Sequence, residues 1–377
     1  KEIDRRYVVS MSGIHDAALI ERTRIIQGED IHMANLAIIG SHSTNGVAKL
    51  HSDLLKAVVL HDFYTIYPER FNNKTNGIAQ RRWLQSSNEP LSRVLDETIG
   101  QSWRHEPADL KLLMNYQNDP IVLEKLAKAK QQKKEELAKY IQETTGIIVN
   151  PTAIFDVQIK RLHAYKRQLL NLLHILKLDF EIKENPQAPI YPRVFIFGAK
   201  AAPSYAYAKS IIKVINEVAN LVNHDHTIGD KLKIVFLPNY NVSLAEKIIP
   251  AADVSEQNSL ASKEASGTSN MKLMLNGAIT IATLDGANVE IRDAVGDENI
   301  YIFGLTEAEV YAYYENKNYS SREVYETNPI VHRVLNAFVD GSIPNIEREG
   351  QEIVDSLLLY NDEYFLLRDF DAYCKAQ

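Results

Sequence analysis

Apolar positions along this chain fall into two rhythms. From residue 16 to 65 they recur every three or four residues, so helices are predicted there, interrupted over 38–52 by "IIGSHSTNGVAKLHS". Residues 67–84, "YPERFNNKTNGIAQRRWL", carry turn residues without a clean period and read as a loop crossing between units. Residues 120–144 predict an amphipathic surface helix, with "KAKQQKKEELAK" (128–139) as its solvated face. After residue 150 short apolar runs alternate with helical stretches. "AIFDVQIKR" (153–161), "RVFIFGAK" (193–200), "KLKIVFLPNY" (231–240) and "AITIATLD" (278–285) read as strands. Helices are predicted over 168–178, 205–222 and 243–249. Unbroken Ile, Val and Phe runs between helices imply parallel strands covered on both faces, an α/β fold.

Ligands of such sheets sit beyond the carboxyl ends of the strands. The residues there are Lys160, Arg161 and Lys166, then Lys200, then Asn239, Tyr240 and Asn241, then Asp285, Gly286 and Asn288. "KRLHAYKR" (160–167) packs several cations at one strand end, where they repel one another unless an anion joins them. No GxGxxG follows a strand and no GxxxxGK[ST] occurs, so neither a dinucleotide fingerprint nor a P-loop is supported.

A second feature is "EASGTSNMKLMLNGA" (264–278). Ser266, Thr268, Ser269 and Asn270 favour a helix start, and Gly267 permits a tight turn. The helix that follows is apolar except for Lys272 and Asn276, four residues apart on one face. A buried lysine costs several kcal/mol unless it is paired or loses its proton. A neutral lysine amine can form a Schiff base, although a paired or surface-reaching lysine is the plainer reading.

Composition narrows the function classes. Forty-two Lys and Arg against 49 Asp and Glu give a formal net charge of −7 over 377 residues, a poor balance for a general nucleic-acid binder. The single cysteine excludes a disulfide framework and a cysteine-based zinc site, and fits a cytoplasmic protein. No apolar run approaches the roughly 18 residues of a membrane span. The His224-Asp225-His226 run reads as a turn rather than a metal site. Glu264 could serve as a glycosidase carboxylate only with a partner such as Asp285 or Glu290 about 5 Å away.

"KEASGTSNMKLMLNGAITIATLDGANVEI" (263–291) resembles the cofactor segment of the glycogen, starch and maltodextrin phosphorylases. "GSHSTNGVAKLHS", "FNNKTNGIAQRRWL", "FDVQIKRLHAYKRQLLNLLH", "NHDHTIGDKL" and "NYNVSLAEKIIPAADVSEQ" resemble the same family, in order along the chain. The resemblance implies a Rossmann-like domain of the glycosyltransferase-B type, with residues 77–377 as most of a second lobe. Residues 1–76 would be the helix-rich tail of a first lobe. It further implies longer family members, with residues before Lys1 and a helical tail after Gln377. The implied activity is phosphorolysis of an α-1,4-glucan (glycogen, starch or maltodextrin) to α-D-glucose 1-phosphate, with pyridoxal 5′-phosphate as cofactor and inorganic phosphate as second substrate. The whole protein would be a homodimer, and the fragment alone inactive or nearly so. A nucleotide-sugar glycosyltransferase of the same fold is the alternative, and it has no use for a Schiff-base lysine.

The resemblance also implies roles. Lys272 would carry the cofactor covalently. Lys160, Thr268 and Ser269 would hold its phosphate, with Tyr240, Asn241 and Trp83 nearby. Arg161 and Lys166 would hold inorganic phosphate. Glu264, Ser266, Gly267, Asn76 and Tyr165 would bind the sugar. Two positions depart from the family. Ser269 stands where glycine is usual, and Asn241 where several members have arginine. A serine would be strained at any positive φ.

Overall fold

The computed structural model describes all 377 residues, which form two compact units, Lys1–Asn76 and Gly77–Gln377.

The first unit is built from short helices. They are Glu2–Met11, Ala17–Thr23, Met33–Ile39, Lys49–Leu54 and His61–Ile66, and a small core of Ile38, Phe63 and Phe71 joins the third and the fifth. Asp4 is buried, and its carboxylate accepts the main-chain N–H groups of Ile25 and Ile26 and a hydrogen from Arg24. Residues 67–84 are more ordered than a plain loop. Phe71–Asn73 pairs in parallel with Thr44–Gly46, and Arg81–Ser86 winds into a π-helical turn.

The second unit holds a six-stranded parallel sheet. In chain order its strands are Ile154–Ile159, Arg193–Gly198, Leu232–Leu237, Val254–Gln257, Ile279–Ala282 and Tyr301–Ile302. Their order across the sheet is third, second, first, fourth, fifth, sixth. Alternate residues supply two cores: Phe195 and Phe197 face one, Val194 and Ile196 the other. Both faces are therefore buried, which is why the apolar runs read as continuous. The fourth strand carries no such run, since Val254–Gln257 reads VSEQ, and the sixth is only two residues long.

The reversal of strand order falls between the first and fourth strands. An open crevice forms at such a switch point, outside the carboxyl ends of the two strands. Lys160 follows the first strand directly, and Asn258 follows the fourth.

The long helix Pro120–Thr145 departs from the expected solvated face. Within its lysine run, Lys134 is buried and Lys130 is turned inward, four residues apart beside Ala129, Leu137 and Ile141. Lys130 donates to the main-chain oxygens of Pro250, Ala252 and Asn276, and Lys134 pairs with Asp253 at 2.6 Å. No helix of the chain is long and apolar enough to cross a membrane.

Candidate active site

Lys160, directly after the first strand at the switch point, is buried. Its ammonium donates to Gln257 Oε1 at 2.6 Å, bridging the first and fourth strands. Burial pushes its pKa down to about 8, with Glu264 and Lys166 acting on it in opposite senses. Gln257 in turn touches Ser269, 3.3 Å from Nε2 to Oγ. Ser269 opens the short helix Ser269–Leu275 that carries Lys272. One chain of contacts thus runs from the strand end to the helix.

Ser269 has no positive φ, so the strain expected of a serine there does not arise. The positive φ lies at Gly267 instead, at 78°. The loop Glu264–Thr268 is held from behind by the turn after the fifth strand. Asp285 accepts the main-chain N–H groups of Ser262 and Glu264 at 2.9 and 2.8 Å. Ala287 N–H donates to Ser266 O, and the buried side chains of Asn270 and Asn288 join at 2.8 Å. A Cβ on Gly286 would stand 2.7 Å from Ser266 O and 2.8 Å from Glu264 O. Only glycine allows this approach, and its φ of 52° also suits glycine. Burial raises the Asp285 carboxyl to about 6.

Lys272 is half-buried, less than an all-apolar helix suggested, because Leu273 is the only apolar side chain of the helix that is fully buried. Its Nζ stands 4.0 Å from the centre of the Trp83 ring. No carboxylate pairs with it. Burial, and then the charge of Arg82, lower its pKa. Asn276 fixes this arrangement: its Nδ2 donates to Trp83 O at 2.7 Å and to Lys272 O at 2.9 Å. Its Oδ1 accepts from Asn88 at 2.8 Å, and all three groups are buried.

The cation run 160–167 does not stand unneutralised, as its sequence suggested. Lys166 pairs with Glu264, and Arg167 is fully buried against Asp369 at 2.6 Å and Asn258 O at 2.7 Å. Arg167 therefore serves the fold. Burial works against charge at both Lys166 and Glu264. Attraction outweighs it: Glu264 raises Lys166, while Lys160 and then Lys166 lower Glu264, so Lys166 and Glu264 are both ionised at neutral pH. Tyr165 OH reaches Glu264 at 3.4 Å. Arg161 alone remains exposed, without a carboxylate partner.

Other expected residues lie further out. Tyr240 is half-buried beside Gly198, and Asn241 is exposed. The Asn241 side chain caps the helix Val242–Ala251 by accepting from Leu244 N–H. Asn76 belongs to the first unit, where its N–H donates to Val47 O. Lys200 is exposed. The 224–226 stretch is a turn: Asp225 accepts from Thr227 N–H and pairs with Lys183 at 3.2 Å, and His224 bonds Asn220 O. Gln257 belongs to the site yet carries no sequence signal, and Asn270, read from sequence only as a helix-start residue, braces the loop through Asn288.

Comparison with known proteins decides the family. A family profile described as "Carbohydrate phosphorylase" matches residues 1–377. The chain belongs to the carbohydrate phosphorylase family. It is 53% identical over 358 residues to the glycogen phosphorylase of Bacillus subtilis, covering 95% of this chain and 45% of that protein. It is 46% identical over 382 residues to that of Synechocystis, and 44% identical over 369 residues to the human liver form. The chain spans 45% and 43% of those two proteins, and so about half the length of the curated relatives it matches. The phosphorylase family thus carries, in this chain, a switch-point lysine, a bound carboxylate–lysine pair and a second lysine left without a counter-ion.

Proposed function

We propose that this chain carries the cofactor-binding half of an α-1,4-glucan phosphorylase, with pyridoxal 5′-phosphate on Lys272. The observation that carries the reading is the unpaired Lys272 amine, held over Trp83 by Asn276 and linked through Ser269 and Gln257 to Lys160. Relatives named glycogen phosphorylase support this reading, and the reaction proposed for the whole protein is phosphorolysis of terminal α-1,4-glucosyl units to α-D-glucose 1-phosphate.

The donor set fits the cofactor. An amine without a counter-ion and with a lowered pKa suits covalent attachment of an aldehyde. The Trp83 ring offers an aromatic wall beside it. Lys160, Thr268 and Ser269 would hold the cofactor phosphate. Bound there, pyridoxal 5′-phosphate would supply a phosphate that exchanges a proton with the substrate phosphate.

The chain's own residues would do the rest. A phosphate on Lys160 restores the counter-charge that burial denies it, and keeps the ammonium protonated. Arg161, exposed and unpaired, would take inorganic phosphate together with Lys166. Glu264, already ionised and aimed by Asp285, would accept hydrogens from the glucose hydroxyls. Ser266, Gly267 and Tyr165 would line the same sugar. Attack by phosphate on the face left by the glucan would retain the α configuration. The substrate could be glycogen, starch or a maltodextrin, and the whole protein would be a cytoplasmic homodimer.

The test is saturable uptake of one pyridoxal 5′-phosphate per chain, read by absorption above about 300 nm. Lys272→Ala should abolish it while the fold, read by circular dichroism, is kept. Uptake unchanged in Lys272→Ala would overturn the assignment.

A further inference from the structure

Behind the Lys272 helix, on the side away from the switch point, lies a hollow of about 550 Å3. Its walls are Leu84, Leu91, Leu95, Leu113, Leu126 and Met274. The hollow is partly open to solvent, and its size lies in the range of ligand pockets, which start at roughly 300 Å3. The hollow arises because the segments Arg81–Ser86, Glu89–Ile99 and Pro107–Tyr116 turn leucines toward the helix Pro120–Thr145 without meeting across the gap.

One end of the hollow is polar. Lys130 stands there, with its ammonium on the carbonyls of Pro250, Ala252 and Asn276 at 3.0, 2.6 and 2.9 Å. The one carboxylate at that end is Asp253. Asp253 is already engaged by Lys134 at 2.6 Å and by Phe155 N–H at 2.8 Å. A buried ammonium, Lys134, and a partly buried one, Lys130, therefore share one carboxylate, leaving an excess positive charge at the end of a leucine-walled hollow. Carbonyl dipoles satisfy the hydrogens of Lys130 but do not cancel its charge. Burial accordingly pushes its pKa down to about 8.

We propose that this hollow binds a small amphipathic carboxylate, its apolar chain among the leucines and its anionic end beside Lys130. The charge complementarity selects an anion over a neutral or cationic analogue of the same chain. The site lies apart from Lys160, Lys166 and Glu264, and the proposal does not rest on the function proposed above. Occupancy would be felt at the Lys272 helix. A carboxylate drawing on Lys130 competes with Asn276 O, one residue past that helix, and the Asn276 side chain also holds Trp83.

The two tryptophans are natural reporters, since Trp103 packs on Leu84 and Leu95 and the Trp83 carbonyl is tied to Asn276. The chain is titrated with decanoate, decanol and decyltrimethylammonium, each below its micelle concentration, and followed by tryptophan fluorescence and calorimetry. Decanoate should bind saturably, one per chain, roughly tenfold or more tighter than decanol, with decyltrimethylammonium weakest. Lys130→Met should erase the preference for the anion, and Leu113→Trp, which crowds the hollow, should weaken binding of both decanoate and decanol. Equal binding of decanoate and decanol to the unmodified chain would overturn the charge argument, as would tighter binding of the cation. Absence of saturable binding, or full binding by Leu113→Trp, would overturn the site itself.

Discussion

Lys160 and Lys272 are both lysines with lowered pKa, but they differ in what relieves them. Lys272 sits half-exposed against a ring and feels only Arg82 as a further charge. Lys160 is enclosed, bonded to a neutral amide, and its protonated form costs the folded state. The sign follows directly. A cation whose folded pKa falls from 10.5 to about 8 loses its proton more readily when folded. Stability should therefore rise as pH climbs from about 8 toward 10.5, by on the order of 3 kcal/mol if Lys160 acted alone. Lys160→Met should flatten that rise and raise the melting temperature at pH 7 without added anion. Chemical denaturation across this pH range checks it. A variant with an unchanged slope, or less stable at pH 7, would show that the amide bond to Gln257 outweighs burial. Little of this was legible in sequence. "KRLHAYKR" displayed its charges but not Glu264 and Asp369, which lie about a hundred and two hundred residues away and neutralise two of them.

Among the elements, the apolar strands were legible because both faces of a parallel sheet demand apolar side chains. Strand Val254–Gln257 was not, because its buried Ser255, Glu256 and Gln257 spend their polarity on side-chain partners such as Lys160 and Tyr373. The lysine run of helix Pro120–Thr145 misled in the opposite direction. Lysine reads as solvated, yet Lys130 and Lys134 turn inward to carbonyls and to Asp253. The loop that shapes the site depends on close backbone contact between 264–266 and Gly286. Gly286→Ala should cost about 2–4 kcal/mol, since the added carbon meets backbone oxygens rather than movable side chains. It should also disturb Glu264 without touching it, because Asp285 positions that residue's N–H. Urea unfolding gives the cost. A loss below about 0.5 kcal/mol would mean that the turn relaxes freely. Asn276→Ala belongs to the same scale. It leaves Asn88 and Trp83 O without a buried partner, so about 2 kcal/mol should be lost. Trp83 emission should shift with it, and a variant with native stability and emission would contradict the positioning role.

The whole molecule divides where the sequence placed a crossing. Residues 74–79 carry no regular structure, and Gly77 and Ala79 are exposed. Lys74 and Asn76 are still tied to the first unit through Gly46 O and Val47 O. Limited proteolysis with elastase should therefore cut first within 77–79, and the fragment beginning there should keep its parallel sheet. Early cleavage inside either unit would contradict the division. The family reading draws on the full length of the chain, whereas the chemistry rests on a few residues at one switch point of the sheet. Those residues can be tested together. Pyridoxal 5′-phosphate is added, fixed to the protein by borohydride reduction, and located by peptide mapping. The account predicts label on Lys272 alone, within "ASGTSNMKLMLNGA". Label on Lys160, Lys166 or Lys200 instead would contradict it.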